Sequence, residues 1–369
     1  MSGDTIQGAW PSSLPSLVEV RAWISSVLPG RPDVTGPTRM YAARAWGAVA
    51  EFVLPASRDA IIFKICLLPL YSASPVIHEL LARYCPTHVP ELLAWHEQRG
   101  ETMMLFRPFS GRTVRSLHHI DALVAMARTL AHIQSTIAGV PKEEIALLPH
   151  RPIEHLPRLF DEIMQEIADT YRPTWSADDW EAASRYHIPR DILGCVASYR
   201  RDVVDWAAQL ISAGWPLSID HVDFHADNAV QTDEGRLLIY DWDEATVSCP
   251  FFSLDRLLAD ARVFDGDVTE DTKFMPVQTR TATLYTPSES AVRQAYIEVL
   301  PWGTRAERGH AVDVALCLSP LKALHEGKMA EDALGQNTAN PRTAWAVSRA
   351  LQRWDFRRST PPRCSAVTP

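Results

Sequence analysis

Residues 219–230 read IDHVDFHADNAV and hold two histidines, three aspartates and an asparagine among apolar, strand-forming neighbours. Polar groups this close to buried strands need partners, because leaving one unsatisfied costs on the order of 1–3 kcal/mol. Three arrangements would supply them: a metal cage, a catalytic loop, or a polar turn at the end of a strand. His221, Asp223 and His225 alternate and would point the same way from an extended chain, where imidazole and carboxylate suit zinc or iron. No other histidine-rich cluster completes such a site.

Longer-range spacing favours the catalytic loop. Asp223 and Asn228 stand in the order D-x-x-x-x-N with His221 two places before the aspartate, the spacing of a phosphoryl-transfer loop. After a turn at Asp233 to Gly235, the run RLLIY (236–240) leads directly into Asp241 of DWD. A hydroxyl attacking a γ-phosphoryl group must lose a proton, which one carboxylate can accept. Magnesium ions bridging the phosphates ask for hard oxygen ligands, which Asp and Asn provide.

The upstream half supplies the complementary charges. Lys64 lies inside the apolar run IIFKI (61–65), where an ammonium without a partner is costly, although an edge lysine turned to water is the plain alternative. Glu79 falls in the next helical segment, with Glu91 and Glu97 nearby as competitors.

The chain has 369 residues, 46% of them hydrophobic and 22% charged, so it should fold, and it is long enough to divide into two lobes. Its formal charge of −9 offers no general basic field for a nucleic-acid backbone. The first residues lack the basic-then-apolar pattern of a secretory signal. The most apolar run, AIIFKICLLPLY, is interrupted by Lys64 and Pro69, so no membrane partner is expected. Six cysteines without a CxxC pair fit reduced thiols, and a cytoplasmic location is the expectation.

Pattern predicts an amphipathic helix over 16–28, a breaker-rich linker over 29–37, and three strands in 39–46, 48–55 and 60–68. A helix follows from Ser74, expected as N-cap, with Pro75 at the first helical position and Val76, Leu80 and Leu81 on one face. Two more strands surround Gly100. Beyond Phe106 to Arg112 the period changes to 3.6 residues, first in 115–139, then in 153–171, 177–187, 190–214, 252–264, 288–300, 308–327 and 343–354. The divisions expected are an N-terminal helix and linker (1–34), an N-lobe (35–110), a mainly helical C-lobe (111–357) and a flexible tail (358–369).

The segments HVDFHADN (221–228), IYDWDEA (239–245) and CPFFSLDRLL (249–258) resemble the motifs of the aminoglycoside phosphotransferase and choline kinase group. The order of elements resembles that group over roughly residues 35 to 350. The resemblance implies an α+β, two-lobed protein-kinase-like fold, with a small antiparallel-sheet N-lobe and a larger helical C-lobe. It implies transfer of the γ-phosphoryl group of ATP or GTP, with Mg2+, to a hydroxyl of a small molecule, either an antibiotic, with resistance as the outcome, or a metabolite. By position, Asp223 would be catalytic, and Asn228 and Asp241 would bind metal, with Asp243 as a further candidate. Lys64 would hold phosphate with Glu79 as its partner, and Gly47, Phe106 and Pro108 would lie along the nucleotide. His221 would anchor the loop and His225 would support it or face the substrate.

The chain departs from the family pattern at three places. Val222 and the pair Ala226–Asp227 stand where Gly and Pro-Gly are frequent, which suggests a less tightly turned loop. Gly47 is the only glycine where a glycine-rich run would cover the nucleotide. Ser253 replaces a frequent Asp, with Asp255 close by. No A-P-E signature follows DWD, which favours a small-molecule acceptor over a protein. Acidic residues Asp161, Glu162, Glu166 and Asp169, and then Asp178, Asp179 and Glu181, could draw in a cation, or could simply form solvated helix faces. Trp175, Trp180 and Trp302 could stack on a substrate or pack the core. A metal-dependent hydrolase using His221, Asp223 and His225, and a catalytically inactive kinase-like binding protein, are the competing readings.

Overall fold

A computed structural model of the protein describes residues 10–30, 32–54, 58–170, 192–266, 285–333, 350–351, 353–355 and 357. Helix α1 (Leu17–Val27) starts at a reciprocal cap: the Glu19 carboxylate accepts from the Ser16 amide at 2.9 Å, and the Ser16 hydroxyl accepts from the Glu19 amide at 3.2 Å. A five-stranded antiparallel sheet follows, with β1 (Arg39–Arg44), β2 (Gly47–Val53), β3 (Ala60–Cys66), β4 (Leu92–Gln98) and β5 (Glu101–Phe106) in the spatial order β1-β2-β3-β5-β4.

Strand periodicity divides the residues of this sheet between two tasks. Ala50, Phe52, Ile61, Phe63 and Ile65 point to one face and bury against Val20 and Ile24 of α1, with the Phe52 and Phe63 rings edge to face at 6.0 Å. Ile62, Lys64 and Cys66 therefore point to the other face, towards helix α2 (Ser74–Tyr84) and the rest of the molecule. Gly47 sits where β2 approaches β3 so closely that a Cβ would collide with the Ile65 carbonyl.

Ser74 is not the N-cap of α2. It lies within the helix and is fully buried, and Ala73 occupies the cap position. Ile77, Leu80 and Leu81 of α2 join the large apolar core of the helical part. That core is built on α3 (Ile120–Ile137), α4 (Leu156–Thr170), α5 (Arg200–Ser212), α6 (Leu254–Phe264), α7 (Pro287–Val299) and α8 (Arg305–Ala333). The single helix expected over 115–139 is broken at His118, which takes a left-handed conformation (φ 47°) between a short turn at Val114–Leu117 and α3. In contrast, α8 runs longer than its sequence signal and continues through Pro320. The helix expected over 177–187, and most of that over 343–354, lie outside the described residues, as does the tail.

Two small sheets frame the opening stretch. Strand β7 (Ser218–Asp220) pairs with β10 (Thr246–Ser248), and β6 (Gly111–Thr113) pairs with β8 (Ala229–Thr232), which pairs in turn with β9 (Leu237–Ile239). The loop 221–228 thus leaves one sheet and enters another, with both ends held. Beneath it Asp220 forms a buried ion pair with Lys322 of α8 at 2.8 Å. Removing one member of such a pair leaves a buried charge and costs about 3–5 kcal/mol. Lys322→Met is therefore expected to lower the stability measured by urea unfolding by about that amount.

Candidate active site

The loop is anchored through groups that leave its reactive face open. His221 is fully buried, its Nε2 donates to the Tyr240 carbonyl at 3.1 Å, and its ring packs 4.3 Å from that of Trp242. Burial pushes its pKa down. Val222 has φ 67°, the left-handed conformation that glycine adopts freely. The turn is therefore as tight as a glycine would make it, contrary to the looser backbone suggested by sequence. The Ser253 hydroxyl donates to Asp220 Oδ1 at 2.6 Å and accepts from the His221 amide at 3.0 Å. The anchoring carboxylate has thus moved from the helix to the preceding strand. Asp255, the nearby alternative, pairs instead with Arg353.

Asp223 lies at the centre of the loop. Its Oδ1 accepts from the Arg256 guanidinium of α6, and its Oδ2 faces His225 Nε2 and Asn228 Nδ2, each at 3.4 Å. The Asn228 amide also donates to the Asp223 backbone carbonyl at 2.9 Å. Burial alone would raise the Asp223 pKa, but Arg256 and His225 outweigh it and hold the carboxyl well below its usual range. For His225 burial would favour the neutral ring, yet the carboxylates of Asp223 and Asp227, at 3.4 and 3.5 Å, push its pKa up to about 9. Asp227 is pulled down to about 2, because His225 and Arg115, whose Nε lies 2.5 Å away, outweigh its burial. Asp260 closes the network, accepting from the Ala226 amide at 2.7 Å and from Arg115 at 3.1 Å.

Lys64 reaches from β3 to the DWD turn. It pairs with Asp241, and its Nζ lies 2.6 Å from Asp243 Oδ2. Burial works against the ammonium, but the two aspartates keep its pKa above the ordinary value, and Lys64 in turn holds Asp243 down at about 2 against its burial. Ser74 of α2 donates to Asp243 Oδ1 at 2.6 Å, and the Cys66 thiol lies 3.3 Å from Oδ2.

Glu79 is not the partner of Lys64. Its carboxylate accepts from Trp95 Nε1 at 2.7 Å on the outside of the sheet. Ser74 and His78, one helical turn apart, occupy the face of α2 that looks at the site, and Glu79 is rotated away from it by about 100°. Phe106 is buried, with its ring 5.0 Å from that of His78, so it supports the site from beneath rather than lining it. Pro108 is exposed in the segment joining β5 to β6, and Gly47 serves the close approach of β2 to β3.

The oxygen donors suit magnesium in part. The Asp241 side chain is 43% exposed, and the Asn228 amide nitrogen, held by Asp223, leaves its oxygen for a cation. β-pairing brings the two residues together, since the Tyr240 amide donates to the Asn228 carbonyl at 3.0 Å. Asp243 is 12% exposed with both oxygens engaged by Lys64, Cys66 and Ser74, so it is placed to hold the lysine. A transition-metal cage of His221, Asp223 and His225 is not formed. His221 faces the interior, both nitrogens of His225 face carboxylates, and among the described residues no three His, Cys, Asp or Glu side chains converge for a metal.

Of the acidic residues expected to attract a cation, Asp161 pairs with Arg200 at 2.7 Å and Glu162 with Arg158 at 3.3 Å on an exposed helix face. The side chains of Glu166 and Asp169, and all of Asp178, Asp179, Glu181, Trp175 and Trp180, lie outside the described residues. Trp302 packs partly buried against the helical core.

Sheet, helical part and site together define a kinase-like small-molecule phosphotransferase fold. A protein-family model described as the phosphotransferase enzyme family matches residues 60–274, more than half of the chain, and the chain belongs to that family. Solved structures share the fold. An ethanolamine kinase from Plasmodium vivax aligns with a TM-score of 0.55 at 9% identity, over 90% of this chain and 84% of that one. A choline kinase from Cryptosporidium parvum gives 0.54 at 11% identity, over 93% and 96%. A spectinomycin phosphotransferase in complex with ADP and spectinomycin gives 0.51 at 11% identity, over 92% and 99%. A search of curated proteins finds no match to the sequence.

The left-handed conformation of a β-branched Val222 stores about 1–2 kcal/mol. Val222→Gly relieves it at the expense of chain entropy, so the substitution is expected to be neutral or to stabilise by up to about 1 kcal/mol, measured as a rise in Tm.

Proposed function

We propose that the protein transfers the γ-phosphoryl group of ATP or GTP to a hydroxyl of a small molecule, with Asp223 as the residue that receives the hydroxyl proton. The observation that carries this reading is the Asp223 carboxylate beside Asn228 in the loop, with the Lys64 ammonium paired to Asp241 just beyond β9, the strand that follows the loop's own. A charged carboxylate can orient a hydroxyl and accept its proton as the oxygen bonds to the γ-phosphorus and the bond to the leaving diphosphate breaks.

Lys64 would lie along the triphosphate, exchanging part of its contact with Asp241 for phosphate oxygen while Asp243 retains it. Asn228 and Asp241 would hold magnesium, which neutralises charge on the phosphates when bound. The acceptor would be an antibiotic, phosphorylated as in a resistance enzyme, or a metabolite such as an amino alcohol. The site of action would be the cytoplasm, in keeping with free thiols at the five described cysteines. An inactive binding protein is the poorer reading, since each charged group the transfer needs is present. A hydrolase built on His221, Asp223 and His225 lacks its cage.

The test is ADP and GDP release with Mg2+ across a panel of hydroxylated antibiotics, amino alcohols and sugars. Asp223→Ala is expected to lower turnover by at least about 100-fold, and turnover that survives the substitution would overturn the role of Asp223. Nucleotide affinity, followed by calorimetry, separates the two candidate partners of Lys64. Asp243→Ala is expected to weaken ATP binding by about tenfold or more, through loss of a close charge partner, while Glu79→Ala leaves the affinity within about twofold, as expected of an exposed surface group.

A further inference from the structure

Arg256 has no part in the expectations drawn from sequence, yet it makes the closest contact to Asp223. It stands on the first turn of α6, three residues after Ser253, and its side chain is 36% exposed. The helix is fixed in place by Ser253 bonding to Asp220 and His221, by Asp255 pairing with Arg353, and by Asp260 holding the Ala226 amide. The two oxygens of Asp223 are thereby made unequal: Oδ1 is clamped by a guanidinium from α6, whereas among the described residues Oδ2 has the two 3.4 Å approaches of His225 and Asn228.

We propose that Arg256 is a positioning residue for phosphoryl transfer: it clamps Oδ1 of Asp223 and leaves Oδ2 as the atom that receives the acceptor's proton. The inference rests on the reading of Asp223 as the proton acceptor. In the transfer the acceptor O–H proton passes to Oδ2, the acceptor oxygen bonds to the γ-phosphorus, the bond from that phosphorus to the bridging oxygen breaks, and the nucleoside diphosphate departs. The proton on Oδ2 is then lost to solvent. A guanidinium on Oδ1 fixes the plane of the carboxylate and keeps it anionic, at the cost of some basicity.

A clamp on Asp223 acts on the transfer step and not on nucleotide binding, so its loss separates kcat from the KM for Mg-ATP.

The experiment is steady-state diphosphate release from Mg-ATP with water as acceptor, corrected for the folded fraction by circular dichroism, for the native protein, Arg256→Gln, Arg256→Lys and Asp223→Asn. Arg256→Gln is expected to lower kcat by at least about tenfold while the KM for Mg-ATP stays within about twofold. Arg256→Lys, which keeps the charge but not the fork, should lower kcat by about tenfold with the same KM. Native kcat in Arg256→Gln, or a loss confined to KM, overturns the proposal, as does native kcat in Arg256→Lys, which decides the matter if Arg256→Gln does not fold. Equal release by the native protein and Asp223→Asn overturns the reading of Asp223 itself, and with it the proposal.

Discussion

A buried ammonium constrains the whole molecule. Lys64 occupies the inward face of β3, where desolvation would expel its charge unless carboxylates met it. No residue of the sheet supplies them. Asp241 and Asp243 come from a turn some 180 residues later in the chain, so sheet and helical part must dock for the charge to be matched. Ser74 and Cys66 fix Asp243 from α2 and β3, and α2 in turn buries Ile77, Leu80 and Leu81 in the helical core. One ion-pair cluster therefore sets the position of the DWD turn against the sheet.

The loop 221–228 follows the same logic of matched charge. Asp220, Ser253 and Lys322 form its floor, and Asp223, His225, Asp227, Arg115, Arg256 and Asp260 alternate in sign around its rim. Each carboxylate has a cation or a backbone amide within reach, which lets so many acids stand together without neutralising by protonation. The Ser253 departure illustrates the economy of the arrangement. A serine is too short and uncharged to anchor a loop alone, but between Asp220 and the His221 amide it relays the charge of the strand.

Local pattern revealed much of this. The five strands of the first sheet, α1 and the helices of the larger part follow from periodicity and capping, because those signals act within a few residues. The grouping of Asp223 with Asn228 and of Lys64 with the DWD turn is a matter of contacts that spacing and a charge in an apolar strand point towards. The place of Glu79 is not legible in the sequence, because a helix presents different faces to different neighbours, and α2 turns Ser74 and His78 to the site instead. Arg256, Lys322 and Arg115 carry no local signal, being ordinary charged residues on two helices and a short turn until folding brings them to the loop.

The sequence by itself therefore determined the elements and the side chains at hand: a lysine on a strand, and a loop of acid and amide followed by an acidic turn. Spacing encodes these because a strand or a loop repeats over distances shorter than a side chain can reach across. Only the tertiary structure decided the partners. It gave Lys64 to Asp243 rather than Glu79, set Arg256 on Asp223, and moved the loop's anchoring carboxylate to Asp220. Those pairings arise between segments tens to hundreds of residues apart, and burial makes them binding, since a charge removed from water must take whichever opposite charge the fold brings near.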